Sequence, residues 1–188
     1  MKISPLGLQL FIFDDVYEPA EDSYLLAKWV EKFSKGKKVL DVGTGCGIQA
    51  IVAAKSGAKE VVGIDKNPKA VENAKLNAKE NNVDCNFFVS DLFSDVKEKF
   101  DLIVFNPPYL PTEKEEKLGG EINLAFDGGE SGRETIDRFL KQYKRFLNKG
   151  GFALLLESSL SGIKGEILEE IEIGGEKLAV IMEIPLSL

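Results

Sequence analysis

Apolar residues follow two rhythms along this chain. Short runs rich in β-branched and aromatic residues, KVLDV (38–42), EVVGI (60–64), CNFFV (85–89), FDLIVF (100–105) and FALLL (152–156), read as strands. Between them lie longer stretches in which apolar residues recur every three or four positions, the period of a helix with one buried face. The first such helix should open at Pro19, place Glu21 and Asp22 in its first turn, bury Leu25, Leu26, Trp29, Val30 and Phe33, and end at Gly36. Further helices are predicted over 47–56, 68–81 and 134–147, a short one near 164–170, and a closing strand pair around Gly174 and Gly175. Strands alternating with helices predict an α/β fold built on a doubly wound, mostly parallel sheet with helices on both faces.

At 188 residues the chain is read as a single domain, with the strand and helix of residues 1–35 contributing to its site. The composition, 44% hydrophobic and 29% charged, is that of a globular protein, and no run approaches the roughly twenty apolar residues that span a bilayer. The apolar start at 6–13 is interrupted by Gly7 and Gln9, closed by Asp14 and Asp15, and lacks a small-residue cleavage pattern, so no membrane association and a cytoplasmic location are expected. With no histidine and only Cys46 and Cys85 as thiols, the chain offers too few ligands for an intrinsic zinc site and no histidine acid or base. A formal charge of -7 argues against a large nucleic-acid footprint.

In doubly wound sheets ligands sit beyond the carboxyl ends of the strands, near the point where strand order reverses. Four consecutive predicted strands carry a polar residue there: Asp41, Asp65, Asp91 and Asn106. The first runs into DVGTGCG, Asp41 to Gly47, where Gly43, Thr44, Gly45 and Gly47 would let backbone approach a ligand closely. A dinucleotide loop would need glycine at position 48, where Ile48 stands. A glycine turn that only lets strand and helix pack is the plainer reading of the same residues.

The GxGxG spacing after an acid resembles the S-adenosyl-L-methionine sites of Rossmann-like methyltransferases, the class I fold with seven strands in the order 3-2-1-4-5-7-6. That resemblance implies that the loop wraps the amino-acid end of the cofactor. It implies too that Asp65 accepts from the ribose hydroxyls, and that Asp91 and Leu92 flank the adenine. An ionised carboxylate, acceptor-only, suits two hydroxyl donors.

The stretch VFNPPYLP ends a strand with an amide and two prolines, which cannot donate to a sheet ladder. Such a rigid turn can grip an NH2 group conjugated to a π system. The Asn106 side-chain oxygen and the Pro107 carbonyl would accept its two N–H bonds, Tyr109 would pack on its plane, and the nitrogen's lone pair would be aimed at a methyl group. No histidine is required, because the nitrogen becomes strongly acidic once methylated and can lose its proton to solvent.

Adenine and glutamine both present such a group. VYEPAEDSYLL (16–26), FNPPYLP and GGESGRETIDRFL (128–140) together resemble the glutamine methyltransferases of class 1 peptide release factors, in the eukaryotic and archaeal branch of the HemK-like group. The resemblance covers residues 14–156 and implies methylation of the glutamine in the release factor's Gly-Gly-Gln loop. It implies also a cofactor contact at Ser23, although Glu21, Asp22 and Ser23 equally suit a plain helix start. It implies further that a small zinc-binding activator adds strands along the edge strand 85–89, between Cys85 and Val89. Two alternatives stand beside this reading: an adenine-amino methyltransferase acting on nucleic acid, and a cofactor-binding module without turnover. In favour of the first, Arg138, Lys141, Arg145 and Lys149 would share one helix face; against it stand the acidic charge and the net negative EKEEKLGGE (113–121).

Overall fold

Strands with little polar alternation must be covered on both faces, and the central sheet of this protein is. The structure is a computed structural model that describes residues 1–109 and 132–185. In chain order the elements are β1 (Lys2–Ile3), β2 (Leu10–Phe11), α1 (Glu21–Phe33), β3 (Lys38–Val42), α2 (Ile48–Lys55), β4 (Glu60–Asp65), α3 (Pro68–Glu80) and β5 (Asn86–Val89), followed by β6 (Phe100–Phe105), α4 (Glu134–Leu140), β7 (Leu147–Ser158), β8 (Glu166–Ile173) and β9 (Glu176–Glu183). Seven strands form one sheet in the order β5, β4, β3, β6, β7, β9, β8. The first five of these pair in parallel, and β9 runs antiparallel between β7 and β8. Counted from β3, this is the 3-2-1-4-5-7-6 order.

Neighbouring residues of one strand serve opposite cores. Val39 and Leu102 join the cluster beneath α1, α2 and α3, with Leu26, Val30, Ile51 and Ala74. Leu40 and Ile103 join the other cluster, with Ile136, Phe139 and Tyr143 from the α4 side. Order reverses between β3 and β6, so the loops after these strands diverge and leave a crevice at their carboxyl ends.

The segment before α1 is tied down by a row of asparagines on α3. Asn81, Asn77 and Asn73 accept from the backbone N–H groups of Gln9, Phe11 and Phe13 at 3.0, 2.8 and 2.9 Å. Their amide nitrogens donate back to the carbonyls of Gln9 and Phe11 at 2.7 to 2.9 Å. Four helical residues rise about 6 Å and two extended residues about 6.7 Å, so the two repeats run in step. The Asn77 amide also donates to the Cys46 carbonyl at 2.8 Å, linking this strap to the glycine loop.

Several expectations are corrected. The helix expected from Pro19 starts at Glu21, with Ala20 as its N-cap. The helix expected over 134–147 stops at Leu140. A 3-10 turn, Tyr143–Phe146, follows, and Leu147 already pairs with Phe100 in the sheet, which forces the chain out of the helix. Stacking of Phe139 on Tyr143 and of Phe93 on Phe146 holds this tightened path. Lys149 therefore lies in β7 and Arg145 in the 3-10 turn, so the basic residues form no stripe on one helix. The strand expected over 152–156 extends to Leu147–Ser158, and that over 85–89 shortens to Asn86–Val89. The helix expected near 164–170 is the strand β8 instead. Gly174 and Gly175, both at positive φ, make a two-residue hairpin turn that pairs Ile173 with Glu176, and the buried run Leu178–Ile181 of β9 gives β8 its partner.

Candidate active site

At the switch point lies a cleft open to solvent, the place where a doubly wound sheet holds a small molecule. Its walls include Tyr17, Ser23, Gly43, Thr44, Gly45, Gln49, Asp65, Asp91, Leu92, Asn106 and Pro108.

The glycine loop is built by hydrogen bonds from beneath. Asp41, 1% exposed, accepts from Thr44 Oγ1 at 2.6 Å and from the Ala50 N–H at 3.2 Å. Its carboxylate thus ties the loop to the first turn of α2 and does not line the cleft. Burial pushes its carboxyl up to about 7, although both hydrogen bonds pull the other way. The glycines differ in purpose. A side chain at Gly45, φ +54°, would meet nothing within 4 Å, so here the backbone faces open space. One at Gly47, φ +88°, would lie 3.0 Å from Ala74 Cβ; this glycine lets α2 approach α3 and is not on the cleft wall.

Asp65 ends β4 and accepts from the backbone N–H groups of Gly45 at 3.0 Å and Asn67 at 2.9 Å. Burial raises its carboxyl above the ordinary range. Asp91 stands at the far end, exposed and ion-paired with Arg138 at 2.7 Å. Leu92 beside it adopts φ +50°, uncommon for a leucine, with its carbonyl held by Ser90 Oγ at 2.8 Å.

Asn106 follows β6 and meets α1. Its Nδ2 donates to Asp22 Oδ2 at 3.0 Å and reaches Ser23 Oγ at 3.4 Å. A carboxylate only accepts, so Asp22 decides which end of the amide faces it. Asn106 Oδ1 is thereby turned away, is buried, and has no hydrogen-bond partner among the described residues. Asp22, 3% exposed, is the hub of this corner: it also accepts from Tyr17 and Ser23 hydroxyls at 3.0 Å and from the Tyr109 hydroxyl at 3.4 Å. Burial and the Asp22 charge raise the ionisation of both phenols, keeping them protonated donors. Pro107 is buried, and neither it nor Tyr109 is on the cleft wall. Residues 110–131, with the rest of the proline stretch, EKEEKLGGE and the start of GGESGRETIDRFL, lie outside the described residues.

The structure therefore brings Ser23, Gly43, Thr44, Gly45, Asp65, Asp91, Leu92 and Asn106 to one cleft. It adds residues that the sequence reading did not place in the site: Tyr17, Gln49, Asn67 and Arg138 on the walls, and Asp22 as the orienting carboxylate. For Asp22 the signal was present in VYEPAEDSYLL, where an acid in a helix's first turn explained itself too easily.

The model of the methyltransferase small-domain family matches residues 19–171. The chain belongs to that family. The methyltransferase is 52% identical, over 167 residues, to a Methanocaldococcus jannaschii protein named as a protein N5-glutamine methyltransferase, covering 89% of this chain and 84% of that one. It is 31% identical over 157 residues to the release factor glutamine methyltransferase of Geobacter sulfurreducens, spanning 79% of its own length and 55% of the bacterial protein. Among solved structures, the ribosomal protein L11 methylase of Lactobacillus delbrueckii subsp. bulgaricus superposes with a TM-score of 0.63 at 24% identity, over 92% of this chain and 83% of that one. The methyltransferase thus has the class I fold that its strand order announces.

Proposed function

We propose that this methyltransferase transfers a methyl group from S-adenosyl-L-methionine to the side-chain amide nitrogen of glutamine in a class 1 release factor. One observation carries the reading: the buried, unpartnered Oδ1 of Asn106, its amide oriented by Asp22. A buried carbonyl without a donor is costly, and it marks a place where an N–H is meant to arrive. The archaeal and bacterial relatives, both named as glutamine methyltransferases, agree with an amide nitrogen as that donor.

The residues present fit the cofactor. Gly45 offers open backbone, Asp65 a carboxylate for the ribose hydroxyls, and Asp91 with Leu92 the edge of an adenine site. When bound, S-adenosyl-L-methionine supplies an electrophilic methyl on a cationic sulfur. Asn106 Oδ1 would accept one N–H of the glutamine amide, and the carbonyl of Pro107, a residue next in the chain but off the cleft wall, the other, so that positive charge developing on the nitrogen meets two fixed acceptors. Tyr109, held by Asp22, braces the turn on which both acceptors stand. Ser23, on the cleft wall, would offer its hydroxyl to the cofactor.

A small zinc-binding activator is proposed as partner at β5. Among the described residues this strand pairs with β4 alone and lies at the sheet's edge, its Phe87 is buried, and Val89 is 46% exposed. An open edge of this kind invites an added strand. A chain that is soluble, monomeric and fully active by itself would remove the need for the partner.

The test is mass spectrometry of a release factor incubated with the protein and S-adenosyl-L-methionine. The Gly-Gly-Gln peptide should gain one methyl. Methyl incorporation into duplex DNA at a comparable rate would instead favour adenine, a reading that has lost its basic stripe: Arg138 is taken up by Asp91 and Lys149 lies in β7.

A further inference from the structure

Gln49 lies outside the GxGxG spacing and stands in the first turn of α2, 4% exposed, on the cleft wall. Its Nε2 donates to the Ser23 carbonyl at 2.9 Å. A backbone carbonyl only accepts, so the reversed amide would set two oxygens against each other, and the orientation is fixed as firmly as that of Asn106. Gln49 Oε1 is left buried with no hydrogen-bond partner among the described residues. Two carboxamides beside α1 therefore share one design: the nitrogen of each is spent on the Asp22–Ser23 corner, and the oxygen of each waits for a donor.

We propose that Gln49 is a cofactor-binding residue, its Oε1 accepting a hydrogen bond from the α-ammonium group of S-adenosyl-L-methionine. This inference rests on the cofactor reading above. The cofactor's other donors are the ribose hydroxyls and the adenine amino group, and the carboxylates placed for them, Asp65 and Asp91, belong to β4 and to the turn after β5. Gln49 is joined instead to Ser23, which also contacts Asn106, and so belongs to the methyl-transferring end of the cleft. The carboxylates at that end are already committed. Asp41 is engaged beneath the loop by Thr44 and Ala50, and Asp22 by Tyr17, Ser23, Asn106 and Tyr109. Gln49 Oε1 offers the cation a buried, preoriented carbonyl with no donor of its own among the described residues.

Calorimetry on the full chain tests this with two ligands that share adenine and ribose: S-adenosylhomocysteine, which carries the α-ammonium, and 5′-methylthioadenosine, which lacks it. Gln49→Met keeps the side-chain length and should weaken S-adenosylhomocysteine about 10- to 100-fold, the range for a hydrogen bond to a charged group, while leaving 5′-methylthioadenosine within about twofold. Equal losses for both ligands would show that Gln49 only props α2 against α1, and no loss for either would also overturn the proposal. Should wild-type protein bind neither ligand, the cofactor reading itself fails. If Gln49→Met does not fold, a crystal structure of the wild-type complex decides: Oε1 within about 3.2 Å of the α-nitrogen is expected, and a separation bridged by water overturns the contact.

Discussion

Asn106 Nδ2 donates to Asp22 Oδ2 at 3.0 Å, across 84 positions of sequence, and that contact decides which face of the Asn106 amide the cleft sees. Asp22 sits in the first turn of α1 and Asn106 just past the last residue of β6, so the orientation depends on how helix and strand pack. Replacing Asp22 by Asn leaves one acceptor oxygen where two now serve the donors of Tyr17, Ser23, Asn106 and Tyr109. Turnover should fall about 10²-fold with cofactor affinity changed only a few-fold, as read by steady-state kinetics beside calorimetry. Asn106→Ala should abolish turnover and spare cofactor binding; retained activity would remove Asn106 from the reaction.

Asp65 has a different signature. Its carboxylate fixes the N–H groups of Gly45 and Asn67 and is proposed to take the ribose hydroxyls. Asp65→Ala should weaken S-adenosylhomocysteine by about 10- to 100-fold, the worth of charge-assisted hydrogen bonds. Unchanged affinity would assign Asp65 to loop structure alone.

Asp41 makes stability depend on pH. Its carboxyl moves from an ordinary 3.8 to about 7 on folding, chiefly through burial. Between those values the folded protein holds a proton that the unfolded chain has released, so raising the pH across this window lowers stability. Asp41→Asn does not titrate. Urea denaturation at pH 4 and pH 7 should therefore show wild type losing up to about 4 kcal/mol relative to the variant. Parallel profiles would contradict the shift.

Asn77 donates to the Phe11 and Cys46 carbonyls and accepts from the Phe11 N–H, at 2.8 to 2.9 Å. Asn77→Leu strands these backbone groups away from water. A loss of about 2–4 kcal/mol in denaturant unfolding is expected, with faster proteolysis of the N-terminal strap. A change under about 0.5 kcal/mol would show that water replaces the asparagine.

Glu157, 1% exposed at the end of β7, pairs with Arg133 at 2.9 Å, immediately before α4. Glu157→Leu removes the buried carboxylate nearest Arg133, leaving Asp137 at 3.5 Å and the Ser161 and Gly162 carbonyls, and should cost up to about 3–5 kcal/mol; Arg133→Met with Glu157→Leu should recover much of that. Double-mutant unfolding measurements read the difference.

Most of the scaffold was legible because its signals are local. Strand β6 must end where Pro107 and Pro108 withhold their N–H groups, and the glycines at 43, 45 and 47 each take positive φ as their spacing suggests. The same locality misled elsewhere. In EILEEIEI the glutamates fit a helix as well as a strand, and only the Gly174–Gly175 turn with the buried face of β9 selects β8. The long helix expected after Glu134 failed because Leu147 is claimed by Phe100, a partner that no helical period reveals.

The succession of strands and helices along the chain, the polar residue at each carboxyl end and the rigid turn after β6 are properties of short segments, and the sequence alone determined them. That the side-chain oxygens of Asn106 and Gln49 are left without a donor among the described residues, and that an asparagine row on α3 pins the N-terminal strap, were decided only by tertiary structure. A side-chain amide has two chemically different ends, and the choice between them belongs to whatever distant group packing brings alongside.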